Sequence, residues 1–319
     1  MPGVPPARYA YLGPAGTFAE QALRSLPAAV AARSQPYGSV GQALDAVRDG
    51  EADGAVVPFE NSVEGSVSVT LDELATGVPL MITREMTVPV RLALLVRPGQ
   101  SLGSVLSVAS HPHATAQARG WLARNLPSAS VDHVGSTAGA AALVAGTDGH
   151  PPEFDAAISA PIAAERYRLE VLADDIGSNP DAVTRFVLVC RAGPVTARTG
   201  ADKTSLVAFI RDDHAGALME VLDQFTMRGI NLTRIESRPT GRALGRYCFS
   251  IDCEGHLADE RVGEALMGLR RVCAEVRFLG SYPRLDGAEP VLREGTADAD
   301  FTDARSWLAR LREGTAPAS

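Results

Sequence analysis

The sequence predicts a mixed α/β protein, because short apolar runs alternate with amphipathic stretches over the first 190 residues and this order then changes. Such alternation is typical of a layered fold with a mainly parallel sheet, in which ligands sit at the carboxyl ends of the strands. The predicted strands lie at 8–13, 53–58, 91–96, 105–110, 155–159 and 185–190. The predicted helices lie at 17–26, 40–49, 69–76, 112–126, 136–146 and 160–168.

A second, smaller module is predicted after residues 191–203, a linker without apolar periodicity that is rich in Gly, Pro, Thr and charged residues. Beyond it the pattern predicts a βαββαβ order, which is the ferredoxin-like arrangement. The strands are expected at 204–210, 231–239, 245–253 and 274–282, the helices at 215–229 and 258–272, and a turn at 240–244. The tail from 285 is expected to be loose up to a short amphipathic helix at 300–312.

The overall charge argues against nucleic acid or an anionic membrane as the main partner. The chain has 38 acidic residues against 30 Lys and Arg, a net charge of −8, so an anionic ligand must be held by a local cluster of donors. The four cysteines form no CxxC pair, which favours a reduced, cytoplasmic setting. We expect neither a signal peptide nor a membrane span, because no apolar stretch is long enough for either.

Two polar stretches of the first half can bind a small ligand. The Gly-rich turn at 13–22 can present backbone N–H groups and Thr17 to an anion, although an ordinary helix cap explains it equally well. The segment 57–67 follows a predicted strand, and its amide and hydroxyl groups can fix an oxygen-rich ligand. A capped turn is an equal alternative for this segment, whose polar residues are Glu60, Asn61, Ser62 and Glu64.

A third polar stretch, residues 110–122, opens a predicted helix. Ser110 is expected to cap this helix, and Gln117 lies one to two turns further along. His111 and His113 suggest a general base or a metal pair, but a spacing of two residues suits a shared metal ion poorly. Since no carboxylate is expected nearby to orient either ring, we predict no metal site.

The fourth polar stretch is the pair Thr184 and Arg185, immediately before a buried apolar run. A guanidinium gives planar, bidentate recognition of a carboxylate, and a surface ion pair is the alternative. Neutral hydroxyl and amide groups beside an Arg indicate a site that holds an oxygen-rich anion without attacking it covalently.

Together and in this order, these stretches resemble the prephenate dehydratase family. The motifs are YLGPAGTF, VPFENSVEGSV, SHPHATAQ, SNPDAVTRFVLV, GALMEVL and INLTRIESRPT, which span about residues 8–284. The resemblance implies a catalytic domain over 1–197, with a two-lobed fold similar to periplasmic binding proteins and the active site in the cleft. It also implies an ACT regulatory domain over 198–284, followed by the tail 285–319.

The reaction implied by the resemblance is the decarboxylating dehydration of prephenate to phenylpyruvate, on the way to phenylalanine. Prephenate carries two carboxylates and a ring hydroxyl para to one of them, so loss of carbon dioxide and hydroxide makes the ring aromatic. No cofactor is required for this step. By resemblance, Thr184 donates to the leaving hydroxyl, and Arg185 anchors a carboxylate.

Other site residues are implied by the matching motifs. Asn61 and Gln117 are expected to bond the substrate, and Glu60 to orient Asn61 or relay a proton. His113 stands where many relatives have Gln, so we leave it outside the expected catalytic set. The remaining cleft positions, among which Phe186 is expected to serve packing, are Thr17, Ser62, Ser110 and Phe186.

The ACT half implies feedback regulation by phenylalanine. A helix N-terminus with Gly216 and the small Ala217 lets backbone N–H groups approach an amino-acid carboxylate. A purely structural ferredoxin-like module is the alternative, and a homodimer or homotetramer is expected because such modules leave sheet edges to be covered. The expected phenylalanine-binding residues are Gly216, Ala217, Leu218, Asn231, Leu232, Glu236 and Ser237.

Two rival functions remain open at this level. An arogenate dehydratase would act on the amino analogue of prephenate, and a single polar contact can set that preference. A non-catalytic protein that binds small anions could use the same fold, since a fold does not fix a function.

Overall fold

The computed structural model describes residues 7–147, 150–240 and 247–314, which form two compact units. The first unit contains the described residues up to 70 and those from 86 to 189. The second contains residues 71–85 and the described residues from 190 onward. The short segment 71–85 therefore belongs to the second unit although it lies within the first half of the sequence.

One sheet of the first unit has the strand order β2-β1-β3-β11-β5, with the short β4 paired to β3. Its strands are β1 (Arg8–Leu12), β2 (Arg33–Tyr37), β3 (Gly54–Asn61), β4 (Gly65–Ser66), β5 (Leu80–Pro89) and β11 (Val183–Arg191). Helices α1 (Phe18–Arg24) and α2 (Val40–Arg48) pack against it. Helix α3 (Ser68–Ala75) precedes β5.

The second sheet of this unit has the order β10-β6-β9-β7-β8. Its strands are β6 (Ala93–Val96), β7 (Ser107–Ser110), β8 (Ser130–His133), β9 (Ala156–Ser159) and β10 (Glu170–Ala173). Helix α4 (Pro112–Asn125) covers one face, and helices α5 (Thr137–Ala145) and α6 (Ile162–Tyr167) cover the other. The chain enters this sheet after β5 and returns to the first sheet at β11, so the unit has two lobes.

The α/β alternation is confirmed, but the prediction of a mainly parallel sheet is wrong for the second sheet, in which two of the four strand pairs are antiparallel. Strand β1 runs parallel to β2 and β3, and β7 runs parallel to β8 and β9. Strand β6, however, is antiparallel to both β9 and β10, which it separates. All four residues of β6 are buried, so its apolar run has the composition of a parallel central strand and does not reveal its direction.

Apart from the two-residue β4, four strands of the first half were not predicted from the sequence. Strands β2, β8 and β10 are sheet edges with mostly exposed or half-buried residues, so they lack the apolar run on which the prediction depended. Pro36 lies within β2, which an edge strand tolerates because its outer N–H groups need no partner strand. The fourth is β5, an edge strand that is mostly buried.

The predicted ferredoxin-like order of the second unit is confirmed. Its sheet has the order β13-β14-β12-β15 with antiparallel neighbours. The strands are β12 (Asp202–Phe209), β13 (Leu232–Pro239), β14 (Tyr247–Glu254) and β15 (Glu275–Pro283), and the helices are α7 (Ala217–Thr226) and α8 (Glu260–Val272). The predicted turn at 240–244 lies, except for Thr240, outside the described residues, as do Gly245 and Arg246 of the following predicted strand.

The two faces of this sheet differ in chemistry. The face toward α7 and α8 carries an apolar core that includes Leu206, Phe249 and Ile251. The other face buries a polar network around Asp252, which is fully buried. Arg234 Nε donates to Asp252 Oδ2 at 3.2 Å, and Ser205 Oγ donates to Asp252 Oδ1 at 2.7 Å. Paired in this way, the buried carboxylate avoids the cost of an uncompensated charge.

Segment 71–85 is held in the second unit by ion pairs and backbone hydrogen bonds. Arg238 forms a bidentate contact with Asp72, and Lys203 Nζ lies 2.9 Å from Glu85 Oε2. Arg277 Nη1 donates to the carbonyl oxygens of Thr76 and Gly77. These contacts explain why the segment groups with the second unit.

The tail forms helix α9 (Asp298–Arg312), as expected. It contacts α8 through Arg305, whose guanidinium lies 2.5 Å from Glu260 Oε1. Leu308 and Leu311 on its expected apolar face are 40% and 43% exposed. The described residues of the chain therefore leave this part of the face exposed.

The four cysteines are free thiols, and three of them are buried. Burial raises the pKa of Cys253 to about 12 and that of Cys273 to about 11. Among the described residues, no helix has both the length and the apolar character needed to cross a bilayer.

The second unit allows a test of its sheet geometry at Gly280. The register slips between Ser205 and Leu206 opposite this residue, and Gly280 has φ +132°. A Cβ at this position would overlap the carbonyl oxygen of Ile82. We expect Gly280→Ala to lower the free energy of unfolding by about 3 kcal/mol, since left-handed backbone and steric overlap both oppose it.

Chemical denaturation followed by circular dichroism measures this change. Gly103→Ala is the matched control, because a Cβ there meets no atom within 4 Å. Equal midpoints for the two variants would contradict the geometric explanation.

Candidate functional site

A cavity of about 330 Å³ lies in the first unit, between elements of its two lobes. It is bordered by the carboxyl end of β3, the beginning of β11 and the N-terminal ends of α1, α4 and α5. Five of the predicted site residues line it, namely Thr17, Asn61, Gln117, Thr184 and Phe186.

A hydrogen bond between Asn61 and Thr184 is the central contact of the cavity wall. Asn61 Nδ2 donates to Thr184 Oγ1 at 2.8 Å. Asn61 Oδ1 accepts from the backbone N–H groups of Val63 and Glu64 at 2.8 and 3.1 Å. Because backbone N–H groups only donate, these two bonds fix which end of the amide faces Thr184.

The orientation of Asn61 decides what the Thr184 hydroxyl does. An amide N–H only donates, so Thr184 Oγ1 is the acceptor in this bond and its own proton points elsewhere. Thr184 is 8% exposed and lines the cavity. The hydroxyl is therefore available as a hydrogen-bond donor to a bound ligand.

Ser62 holds the loop after β3 against the beginning of β11. Its backbone N–H donates to the carbonyl oxygen of Val183 at 2.9 Å, and its Oγ accepts from Val183 N at 2.9 Å. Ser62 is exposed and lies outside the cavity lining. These bonds join the loop next to Asn61 to the strand end next to Thr184, and Ser62 does not occupy the cleft-lining position predicted for it.

Thr17 is the N-cap of α1, which is the alternative that the sequence analysis gave for the Gly-rich turn. Its Oγ1 donates to the carbonyl oxygen of Leu12 at 2.9 Å and accepts from Glu20 N at 3.4 Å. The turn thus combines a cap with a place in the cavity wall. Glu20 is buried and accepts from Gly16 N at 2.6 Å, which closes the turn.

Helix α4 begins differently from the prediction. His111, not Ser110, is its N-cap, with Nδ1 accepting from His113 N at 3.4 Å. Ser110 is fully buried, and its Oγ donates to the carbonyl oxygen of Ile158 at 2.6 Å. The predicted cleft position of Ser110 is therefore corrected, because this hydroxyl joins two neighbouring strands. Gln117 lies in the second turn and lines the cavity.

The two histidines of α4 also line the cavity, and a carboxylate accompanies them. His113 Nδ1 forms an ion-pair contact with Glu64 Oε1. The rings of His111 and His113 are stacked with centroids 5.0 Å apart. The expectation that no carboxylate lies near these rings is therefore wrong, since the loop after β3 brings Glu64 to the beginning of α4.

The pKa of His111 lies below its usual value. Partial burial is the largest cause, and the neighbouring rings of His113 and His133 lower it further, while Glu64 opposes them. Burial disfavours the charged imidazolium. His111 is therefore neutral at pH 7, and its accepting Nδ1 leaves the proton on Nε2.

The beginning of α5 is a part of the site that the sequence analysis missed. Gly135, Ser136 and Thr137 line the cavity, and Ser136 Oγ caps the helix by accepting from Gly139 N at 2.9 Å. A Ser-Thr pair before an Ala-rich helical run is a recognisable helix start. The sequence therefore indicated a helix start here, but none of the polar stretches considered as binding sites included these residues.

Arg185 and Glu60 are placed away from the other predicted site residues. Thr184 and Phe186 line the cavity, and neighbouring strand residues point to opposite faces, so Arg185 lies behind this wall. Its guanidinium lies 4.9 Å from the ring centroid of Phe59 and 3.5 Å from Glu60 Oε2. The predicted contact of Arg185 with a ligand carboxylate and that of Glu60 with Asn61 both lack support in this geometry.

Anion binding must therefore rely on other groups. Among the described residues that line the cavity, the ionisable side chains are Glu64, His111 and His113. Helices α4 and α5 both present their N-terminal ends, whose backbone N–H groups and dipoles favour negative charge. Within the described part of the chain, no group of three His, Cys, Asp or Glu residues is arranged to hold a metal ion.

The second unit has its own cavity of about 290 Å³ beside the beginning of α7. Gly216, Ala217, Leu218 and Ser237 of the predicted effector residues line it. The other lining residues are Ile210, Asp213, His214, Met219, Tyr247 and Phe249.

Three predicted effector residues do not line this cavity. Ser237 pairs with Phe249 on the helix-facing side of the sheet, so its neighbour Glu236 points to the polar side, where it pairs with Ser250. Leu232 packs into the helix-facing core. Asn231 is exposed, and its carbonyl oxygen accepts from Glu254 N.

Comparison with known proteins identifies the family. The prephenate dehydratase family model matches residues 9–194. The prephenate dehydratase of Amycolatopsis methanolica is 49% identical over 313 residues, which cover 97% of this chain and 99% of that protein. The prephenate dehydratase of Mycobacterium tuberculosis strain H37Rv is 49% identical over 317 residues, with 96% and 94% coverage.

A solved structure agrees over nearly the whole chain. The crystal structure of prephenate dehydratase from Arthrobacter aurescens in complex with L-Phe has a TM-score of 0.91 and 50% identity. It covers 96% of this chain, and this chain covers all of it. The predicted fold class is confirmed by this agreement. The chain belongs to the prephenate dehydratase family.

Proposed function

We propose that the cavity of the first unit catalyses the decarboxylating dehydration of prephenate to phenylpyruvate, with Thr184 as the donor to the leaving hydroxyl. The observation that carries this proposal is the fixed amide of Asn61, which turns the Thr184 proton away from itself. The enzyme is then a carbon–oxygen lyase that needs no nucleophile. This agrees with a cavity lined by hydroxyl, amide and imidazole groups.

The dehydration of prephenate requires the enzyme mainly to bind the substrate and to stabilise the charge that develops on the leaving oxygen. The bond between the ring and its carboxylate breaks, and the electron pair enters the ring as carbon dioxide leaves. The bond to the para hydroxyl breaks in turn, and the ring becomes aromatic. A donor that is already oriented toward the departing oxygen stabilises the negative charge developing there, by about 3–4 kcal/mol in comparable sites.

The other cavity residues have binding roles in this proposal. Gln117 donates its amide to the substrate, and Asn61 holds Thr184. The N-terminal ends of α4 and α5, with Ser136 and Thr137, receive the carboxylates. Phe186 is 3% exposed and belongs to the core on the α1 side of the sheet, so it packs the wall.

Arg185 and Glu60 have a positioning role. The stacked guanidinium and its carboxylate partner join the beginning of β11 to the end of β3, where Thr184 and Asn61 stand. We assign this pair to holding the two strand ends and not to direct contact with the substrate.

We further propose that phenylalanine regulates the enzyme through the cavity of the second unit. The Arthrobacter aurescens relative was crystallised with L-Phe. In this chain the backbone N–H groups at the beginning of α7 suit a carboxylate, and Leu218 and Phe249 suit an aromatic side chain. A homodimer or homotetramer of such modules, acting as an ACT regulatory domain in the cytoplasm, completes the proposal.

Removing the Thr184 hydroxyl tests the donor role. We expect Thr184→Ala to lower kcat by about a hundredfold or more with the fold retained, because the oriented donor is lost. Thr184→Ser is the matched control, which keeps the hydroxyl and should retain most of the activity. Phenylpyruvate is measured by its absorbance in alkali, and phenylalanine released from arogenate is measured in parallel as the test of the rival substrate.

A kcat of Thr184→Ala within about threefold of the parent enzyme would show that Thr184 is not the donor.

Asn61→Asp tests the orientation mechanism separately. One carboxylate oxygen still accepts from Val63 N and Glu64 N, but the other now accepts the Thr184 proton that was directed into the cavity. We expect kcat to fall at least fiftyfold with little change in the thermal midpoint, and the loss follows from about 2.5 kcal/mol of donor stabilisation. Asn61→Ala gives the comparison in which the hydroxyl is free but no longer held. If Asn61→Asp is as active as the parent, the orientation of Asn61 does not control the reaction.

Leu218→Asp tests the effector cavity. A negative charge in the first turn of α7 is compatible with the helix but repels a ligand carboxylate bound there. We expect the phenylalanine concentration for half-inhibition, measured against each variant's own uninhibited rate, to rise at least tenfold, or about 1.4 kcal/mol. Val291→Asp, which adds the same charge at an exposed tail position, should leave it unchanged. Equal inhibition of both variants would place the effector elsewhere.

A further inference from the structure

The cavity contains a second polar cluster that the proposed function has not used. It consists of Glu64 from the loop after β3 and of His111 and His113 from the beginning of α4. These side chains are the ionisable groups among the described residues lining the cavity, and they share it with Thr184. The role of this cluster in the reaction rests on the proposed dehydratase function.

The reaction needs a proton source that Thr184 cannot be. Hydroxide leaves the ring, and a threonine hydroxyl is far too weak an acid to be poised for protonation near neutral pH. A hydrogen bond from Thr184 stabilises the departing oxygen but does not by itself convert it to water. Imidazolium is the side-chain acid whose ordinary pKa lies closest to neutrality.

The geometry of the cluster distinguishes the two rings. Stacked rings 5.0 Å apart disfavour a second positive charge once one of them is protonated. His113 contacts the Glu64 carboxylate through Nδ1, whereas His111 Nδ1 accepts a backbone hydrogen bond that a proton would break. A single added proton therefore resides on His113. With Nδ1 directed at Glu64, Nε2 is the nitrogen on the opposite side of the ring that can meet a substrate.

We propose that His113, held by Glu64, delivers the proton that converts the departing hydroxide to water. Thr184 holds the leaving oxygen, and Glu64 is a positioning residue that orients the ring. The proton moves from Nε2 of His113 to the oxygen as the carbon–oxygen bond breaks. Prephenate dianion and this proton become phenylpyruvate monoanion, carbon dioxide and water, and His113 then takes a proton from solvent.

Among the described residues, the charged and titratable groups around His113 come from three elements. They are His111 on the same helix, Glu64 on the loop after β3 and, beyond His111, His133 at the end of β8. The donor must be protonated before each turnover. We therefore expect the kcat of the parent enzyme to decline in alkali, as it does for a reaction that depends on a general acid.

The experiment measures kcat and KM for prephenate between pH 5 and 9, a range of roughly two units on either side of an ordinary imidazole pKa, for the full-length enzyme and two variants. We expect His113→Gln to lower kcat at pH 7 by at least tenfold, with KM within twofold of the parent and the alkaline decline in kcat abolished. We expect Glu64→Gln to lower kcat by less than His113→Gln does, with KM again within twofold of the parent, because the proton donor remains while the group that orients it is weakened. The side chains of His113 and Glu64 are 56% and 41% exposed, so both variants should keep the parent thermal midpoint.

Matched controls are His150→Gln and Glu51→Gln, which make the same changes at exposed positions outside the cavity. A rise in KM with unchanged kcat in His113→Gln would show a counterion for a carboxylate and overturn the proton-donor role. An unchanged kcat and pH profile would overturn it as well. If the parent enzyme does not convert prephenate, the proposed function itself fails, whereas conversion by the parent with a fully active His113→Gln defeats only this inference.

Discussion

The hydrogen bond from Asn61 to Thr184 is the constraint on which the rest of the site depends. It joins the last residue of β3 to the second residue of β11. Two backbone N–H groups donate to Asn61 Oδ1, so Nδ2 must face Thr184. The direction of the Asn61–Thr184 hydrogen bond is therefore fixed before a ligand binds. The neighbouring residues Ser62 and Val183 join the same two strand ends through two further hydrogen bonds, each of which involves the backbone of Val183. A preorganised donor of this kind needs no reorganisation when the oxygen departs.

The alternation of side chains along β11 then divides the roles of three consecutive residues. Thr184 and Phe186 face the cavity, and Arg185 faces the opposite side, where it stacks on Phe59 and pairs with Glu60. In our proposal, Arg185 is therefore next to Thr184 in sequence but does not contact the bound anion, and it holds the strand end that carries Thr184.

Periodicity predicted the helices and the buried strands except β5, and motif resemblance predicted Thr17, Asn61, Gln117 and Thr184, which meet at the cavity. Edge strands such as β2 and β8 escaped prediction because exposed residues carry no apolar signal. The directions of strand β6 and of the Arg185 side chain depend on tertiary pairing, which a run of residue types does not encode. The contact of His113 with Glu64 joins two motifs that are separate in sequence, so it can be seen only in the folded chain.

The charge of the cavity explains how an acidic chain can receive a dianion. The net charge of −8 repels anions at long range, but a Debye length of about 8 Å at physiological salt limits that repulsion to the surface. Inside the cavity, helix N-termini provide positive potential without the desolvation cost of a buried guanidinium. In our proposal, the contact with His113 keeps Glu64, the one acidic side chain among the described lining residues, from opposing the substrate. Protonation then changes the charge of this cluster by a single unit, which is also the charge that the reaction consumes.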